Sequence, residues 1–353
     1  MRHHGRLVAI AGSMLLVACA DKAVTSPEVM ATKSQRYELS RAPMVIMSGL
    51  NSPRQLAFGP EGGLYVAEAG TGAINGPCVA VARGQHCYSG TASISRWWKG
   101  TQERVATGLP SIGNPAINDI GGVNDIAFQG RGNMFVTSGW GANPALRAGL
   151  GAFGDDLGSL LRVTPNGAWR AVADVSAFEQ ANNPAGGPVD SNPYGVLAEG
   201  NDRYVTDAGG NSLLHVDVHG EVSLVAVFPS TVVPPLPFPF PGRTSEAVPT
   251  EVTRGPDGAL YVSTLSGVPF TPGVARIYRV VPGSAPTVHV DGLTQVTNHA
   301  WGPDGSLYVT QFGTAFFFGG PGSVLRIAPN GVRSTVIGGL AGPTGVEVGP
   351  DGA

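Results

Sequence analysis

Charge is scarce in this sequence: Asp, Glu, Lys and Arg make up 13% of the 353 residues, and the formal net charge is −3. No basic stripe interrupts that balance, which argues against nucleic acid as a ligand. Cysteine is nearly absent, at three residues, and none forms a C-x-x-C pair. The G-x-S-x-G elbow, the H-E-x-x-H pair and the Walker sequence are also missing, so no such motif dictates a reaction. No long amphipathic helical pattern appears. The apolar run LVAIAGSMLLVA (7–18) is too short to span a bilayer comfortably.

What the chain does have is a repeat. One block returns as GPEGGLYVAEA (59–69), GRGNMFVTSG (130–139), GNDRYVTDA (200–208), GPDGALYVST (255–264), GPDGSLYVTQ (302–311) and GPDGA (349–353). Self-similarity at this scale means stacked copies of one supersecondary unit. Around each block, alternating apolar runs stop at Gly, Pro, Asn or Asp, which predicts four short strands per copy. In the fifth copy these are VTNHAWG (296–302), SLYVTQF (306–312), SVLRIA (323–328) and STVIGGL (334–340), with GPDG and PNG as tight links. The markers Tyr65, Phe135, Tyr204, Tyr261 and Tyr308 stand 70, 69, 57 and 47 residues apart. The shortest spacing is that of a bare four-stranded propeller blade, and the others add inserted loops. The 52 glycines and 29 prolines are therefore turn residues.

The pattern predicts an all-β fold, a six-bladed β-propeller over 44–353. MVIMSGL (44–50) matches the fourth strand VIGGL and is expected to close the last blade. The sixth copy stops at GPDGA, so the sequence is expected to be C-terminally truncated within that blade.

The N-terminus reads as export. MRHHGR (1–6), the apolar run and Leu16-Val17-Ala18-Cys19 resemble a bacterial lipobox, which implies a signal peptide over 1–18 and a diacylglyceryl group on Cys19. An ordinary secretory signal is the alternative. Residues 19–43 read as a lipidated flexible tether, so the membrane is engaged through the anchor alone. Ala20 lacks the common inner-membrane retention signal. The periplasm, the outer membrane or the cell surface is thus the expected site of a monomeric protein. In an oxidising compartment Cys78 and Cys87, both within the insertion at 70–90, are expected to form a disulfide.

Aligning the first strands on their turns gathers Gln55, Asp125, Glu251 and Asn298 into one column, completed by Gly195 and Gly345. The column before holds Arg54, Asn124, Thr250, Thr297 and Thr344, with Pro193 or Tyr194, and the column after is apolar apart from His299. Such a polar column faces the central channel, where function in propellers usually gathers. Two readings stay open: a wet structural lining, or a ligand or metal site, the metal being a hard cation such as calcium at Asp125, Glu251 and Asn298. His299 reads as packed. His215 shares the register of Arg96, Arg162, Arg279 and Arg326, which makes it a surface or inter-blade residue despite its spacing from Asp217 and His219. Asp257, Asp304 and Asp351 belong to hairpin turns. Insertions at 139–158, 232–248 and 313–322 carry Phe238, Phe240 and Phe316 to Phe318, which either project toward a partner or fold back over the blades.

The lipobox, the repeated GPDG-x-LYV turn, the early loop with its cysteine pair and GLAGPTGVEVGPDGA (339–353) together resemble the ScyD/ScyE family of secreted propeller proteins. The resemblance implies this fold and export, and carries over no catalytic residues. Two function classes follow. One is a binding module at the cell envelope that grips a protein, a glycan or a small molecule at its mouth. The other is a metal-assisted enzyme of the gluconolactonase or streptogramin-lyase kind with Asp125, Glu251 and Asn298 as cation ligands.

Overall fold

The computed structural model describes residues 43–349, apart from 131, 240, 241 and 243. Cys19, the signal and tether segments over 1–42, Phe240 and the final turn with Asp351 lie outside the described residues.

Five four-stranded antiparallel sheets follow one another along the chain, and within each the strands pair in chain order. Blade one is Pro53–Phe58, Leu64–Glu68, Ala92–Trp98 and Thr101–Leu109. Blade two is Val123–Gln129, Asn133–Ser138, Ser159–Val163 and Trp169–Asp174. Pro193–Glu199, Asp202–Asp207, Ser212–Val216 and Val222–Val227 form blade three. Pro249–Arg254, Leu260–Thr264, Ala275–Val280 and Thr287–Leu293 form blade four. Val296–Trp301, Leu307–Gln311, Gly322–Ile327 and Arg333–Leu340 form blade five. The all-β propeller read from the repeat is the fold.

The repeat explains the turns chemically. A Cβ on the first glycine of the 255–258 turn would lie 2.1 Å from Cε2 of Tyr261, and on Gly302 2.8 Å from Cε2 of Tyr308. The aromatic of strand two thus folds over its own turn. The last glycine of each turn, Gly258 (φ 78°) and Gly305 (φ 75°), supplies the left-handed backbone a tight hairpin needs. Opposite the aromatic stands the third-strand Arg: Tyr65 faces Arg96, Tyr261 faces Arg279 and Tyr308 faces Arg326. Arg279 and Arg326 each donate to the turn aspartate, Asp257 or Asp304, at 2.6 Å. His215 occupies this register opposite Tyr204 and bonds Asp202 at 2.8 Å, as its alignment with the arginines predicts.

The apolar core is a series of layers between neighbouring blades. Ile94 and Leu109 of blade one pack with Ile126 and Leu161 of blade two, and equivalent layers join two to three, three to four and four to five. Each fully buried Leu or Ile contributes about 1.5–3 kcal/mol. The ring is completed at its axis by 343–346, which lies between the first strands of blades five and one. Thr297 Oγ1 donates to Pro343 O at 3.3 Å, and Thr344 Oγ1 donates to Arg54 O at 2.8 Å. Residues 341–349 form no strand.

Three features depart from the sequence reading. Segment 44–50, expected to close the last blade, forms no strand. It is held beside the outer strand of blade one, where Ser48 exchanges hydrogen bonds with the Gln102 side chain (3.0 and 2.8 Å) and Gly49 O accepts from Arg104 (3.0 Å). Residues 175–182 form a short helix, its N-terminus capped by Asp174 on Ala177 N at 2.9 Å. The insertion of blade one is itself a sheet. Ala73–Val81 and Gly84–Tyr88 pair with each other, and the connector strands Ile112–Asn114 and Asp119–Gly121 extend them. Cys78 and Cys87 stand opposite in register and are disulfide-bonded, as expected.

Candidate functional site

Every first strand carries a bulge at the same place. Asn124 and Asp125 together oppose Thr137, Tyr194 and Gly195 oppose Thr206, and Thr250 and Glu251 oppose Ser263. Blade one repeats this with Arg54 and Gln55, and blade five with Thr297 and Asn298. A bulge re-aims side chains that simple alternation would send to opposite faces. That is why two consecutive polar columns arise. In blades two and three the hydroxyl opposite the bulge repairs the ladder: Thr137 Oγ1 accepts from Asp125 N at 3.1 Å, and Thr206 Oγ1 from Gly195 N at 2.7 Å. Gly195 is required because a Cβ there would lie 2.6 Å from Thr250 O of the next blade.

The second residue of each pair turns to the axis. Asn298 Nδ2 donates to Gln55 Oε1 and, at 2.5 Å, to Glu251 Oε2. Gln55 Nε2 reaches Thr250 O and Thr297 O, each at 3.2 Å. Asp125 accepts from Val196 N of the next blade and from Ile126 N, both at 2.7 Å, and Asn298 Oδ1 accepts from Val346 N at 3.0 Å. The four predicted axial residues are therefore fully buried and joined to neighbouring blades. Each of their side-chain oxygens already accepts an N–H, with Glu251 Oε1 taking Val252 N at 2.8 Å. Among the described residues no three His, Cys, Asp or Glu side chains form a metal-binding group. Burial pushes the Asp125 carboxyl up to about 7, helped by the charge of Glu347. It pushes Glu251 well above the usual carboxylate range, with Asp125 adding to the effect. Their donor set fits inter-blade fastening better than a preformed cation cage.

The first residues of four pairs, Arg54, Asn124, Tyr194 and Thr297, open to one mouth, whereas Thr250 is buried with its hydroxyl donating to Val296 O at 3.0 Å. In a blade whose strands pair in order, the links from strand two to three and from one blade to the next share that end. All the insertions therefore gather there. They enclose a pocket of about 420 Å³. Its floor includes Arg54, Asn124, Tyr194, Thr297 and Thr344; Trp140, Leu265, Phe312 and Phe318 contribute apolar wall; and the insertion sheet contributes Arg83, His86 and Asp119. Asn124 is tied down through Nδ2 to Pro193 O at 2.9 Å. His86 is buried beside the disulfide, its Nε2 2.9 Å from Asp119 Oδ2, and Arg83 Nε donates to the same oxygen at 2.6 Å. Burial works to raise the Asp119 carboxyl, but the Arg83 and His86 bonds outweigh it and hold it below its ordinary value.

Arg54 and Asn124 thus belong to the pocket, whereas Gln55, Asp125, Glu251 and Asn298 lie beneath it in the axial network. His299 is packed between blades, 2.8 Å from Thr253 Oγ1, and burial drives it down to about 3. The aromatic insertions fold on one another: Phe238 meets Phe316 edge-on at 5.1 Å, and Phe318 stacks on Phe270 at 3.9 Å. Arg83, His86, Asp119 and Trp140 were missed as site residues, because they sit outside the repeat; the column of Arg54 and Asn124 left Pro193 or Tyr194 open, and the bulge brings Tyr194 to the pocket.

No family model and no curated protein sequence matches the chain. Similar solved structures include virginiamycin B lyase from Staphylococcus aureus, at 15% identity and a TM-score of 0.41, covering 80% of this chain and 69% of that one. A streptogramin B lyase is 13% identical at 0.45, covering 87% and 90%. A nidogen/laminin complex is 13% identical at 0.48, covering 84% of each chain. Likeness of this order spans lyases and a protein complex, so it carries no chemistry to this chain.

Proposed function

We propose that this protein is an exported, lipid-anchored propeller of the ScyD/ScyE type that acts as a binding module, taking a small ligand into the mouth pocket. One observation carries the reading. The polar side chains of the axis are consumed in fastening blades together, while the residues one position earlier, with the insertions, leave a walled pocket open at one end. Export and the Cys19 anchor rest on the lipobox; detergent partitioning of wild type against Cys19→Ala tests them, and equal aqueous fractions would remove that part.

The metal-assisted hydrolase is the competing reading. A ligand-observed NMR screen of small molecules on the full chain, run beside a lactone and ester panel with and without calcium, separates the two. The binding module predicts ligands whose signals recover in Trp140→Ala, with no turnover. Calcium-stimulated hydrolysis lost in Glu251→Ala would replace this reading by the enzyme.

A further inference from the structure

The pocket holds two arginines in unlike states. Arg83 is neutralised by Asp119 at 2.6 Å. Arg54 donates one Nη2 hydrogen bond, to Ile120 O at 2.6 Å, and among the described residues no carboxylate lies in ion-pair reach of it. It is half-buried at the floor. A guanidinium there has lost part of its hydration and is ordinarily matched by an anion. Its neighbour Tyr194 is also half-buried, and its hydroxyl has no hydrogen-bond partner among the described residues. Burial raises the phenol, so it stays protonated and keeps an O–H to donate. Above these donors stand Trp140, Leu265, Phe312 and Phe318.

Building on the mouth as the binding site, we infer that the ligand is a small monocarboxylate with an apolar body, its carboxylate held by Arg54 and Tyr194 and its body by the aromatic wall. A guanidinium fork and a hydroxyl match the two oxygens of a carboxylate. A dianion such as a phosphate monoester fits less well, because Arg54 is, among the described residues, the one arginine of the pocket lining that no carboxylate neutralises, and a single positive charge matches a monoanion.

The test uses the full chain and matched probes, benzoate with benzamide and cyclohexanecarboxylate with its primary amide, with phenyl phosphate as the dianion. The acids are expected to bind at least about tenfold more tightly than their amides and than phenyl phosphate, a preference that Arg54→Gln removes and that Arg54→Lys, which keeps the charge but loses the fork, keeps only in part. Tyr194→Phe should weaken the acids and leave the amides unchanged. Melting curves confirm that each variant folds. Equal binding of acids and amides, with both weakened by Trp140→Ala, overturns the carboxylate assignment and leaves the mouth as the site. Acid binding indifferent to both Arg54→Gln and Trp140→Ala overturns the mouth itself, and no binding by any acid overturns the assignment.

Discussion

At the scale of single residues, the first glycine of the repeated turn makes a sharp stability prediction. Gly255 does not need positive φ, so replacing it by alanine costs no backbone strain. The cost is steric, because the new methyl would lie 2.1 Å from Tyr261 Cε2. Gly255→Ala is expected to destabilise by about 1–3 kcal/mol, the range for overpacking. The same change at Gly302, where the contact is 2.8 Å, should cost less. Chemical denaturation of both variants, and of Gly255→Ala combined with Tyr261→Leu, checks this. If removing the ring does not restore part of the loss, the ring is not the reason for the glycine. A residue that looks like generic turn chemistry in the sequence is thus fixed by a side chain six positions away.

At the scale of elements, the strands were legible because period-two alternation and a glycine-bearing turn before the second strand agree in every copy, the turn reading Gly-Pro-Asp-Gly in the later ones. The bulge was not, since alternation says nothing about an extra residue. Its trace was nevertheless in the repeat, in the small hydroxyl after the strand-two apolar pair: Thr137, Thr206, Ser263 and Thr310. The insertion sheet was illegible for a different reason. It joins 73–88 to 112–121 across a whole hairpin of blade one, and short irregular strands carry no period. Only its cysteines announced it. That sheet contributes Arg83, His86 and Asp119 to the pocket but shares no ladder with the blades, so its stability should be separable from theirs. In Cys78→Ala/Cys87→Ala, hydrogen exchange should quicken over 73–88 and 112–121 while blade amides keep their protection. A matching loss of protection in blades three to five would mean the staple serves the whole ring.

At the scale of the whole molecule, the buried charges set a pH dependence whose sign can be worked out. Burial raises Asp125 and Glu179 to about 7 and Asp207 to about 6. Carboxyls in the unfolded chain titrate near about 4. The folded state therefore binds more protons over this interval, and stability falls as pH climbs from about 4 through 7. His299 works the other way. Driven down to about 3, it must be charged on unfolding below about 6.5, so its contribution is lost as pH falls through that window. Paired surface acids such as Asp304, held low by Arg326 against a burial effect that alone would raise it, add to the acid-side loss. The melting temperature should peak at mildly acidic pH and be lower at pH 8. Glu179 is the cleanest probe. Its side chain is 1% exposed, its Oε2 has no hydrogen-bond partner, and after desolvation the charges of Asp207 and Asp190 are what hold its proton on. Replacing it with glutamine removes a charge the fold resists while costing no bond to that oxygen. Glu179→Gln should therefore melt a few degrees higher than wild type at pH 8, on the order expected for about 1–2 kcal/mol in a domain this size, and indistinguishably at pH 5. A lower melting temperature at pH 8 would show that the charge is matched by a cation in solution, and calcium titration of the wild-type melt would then reveal it.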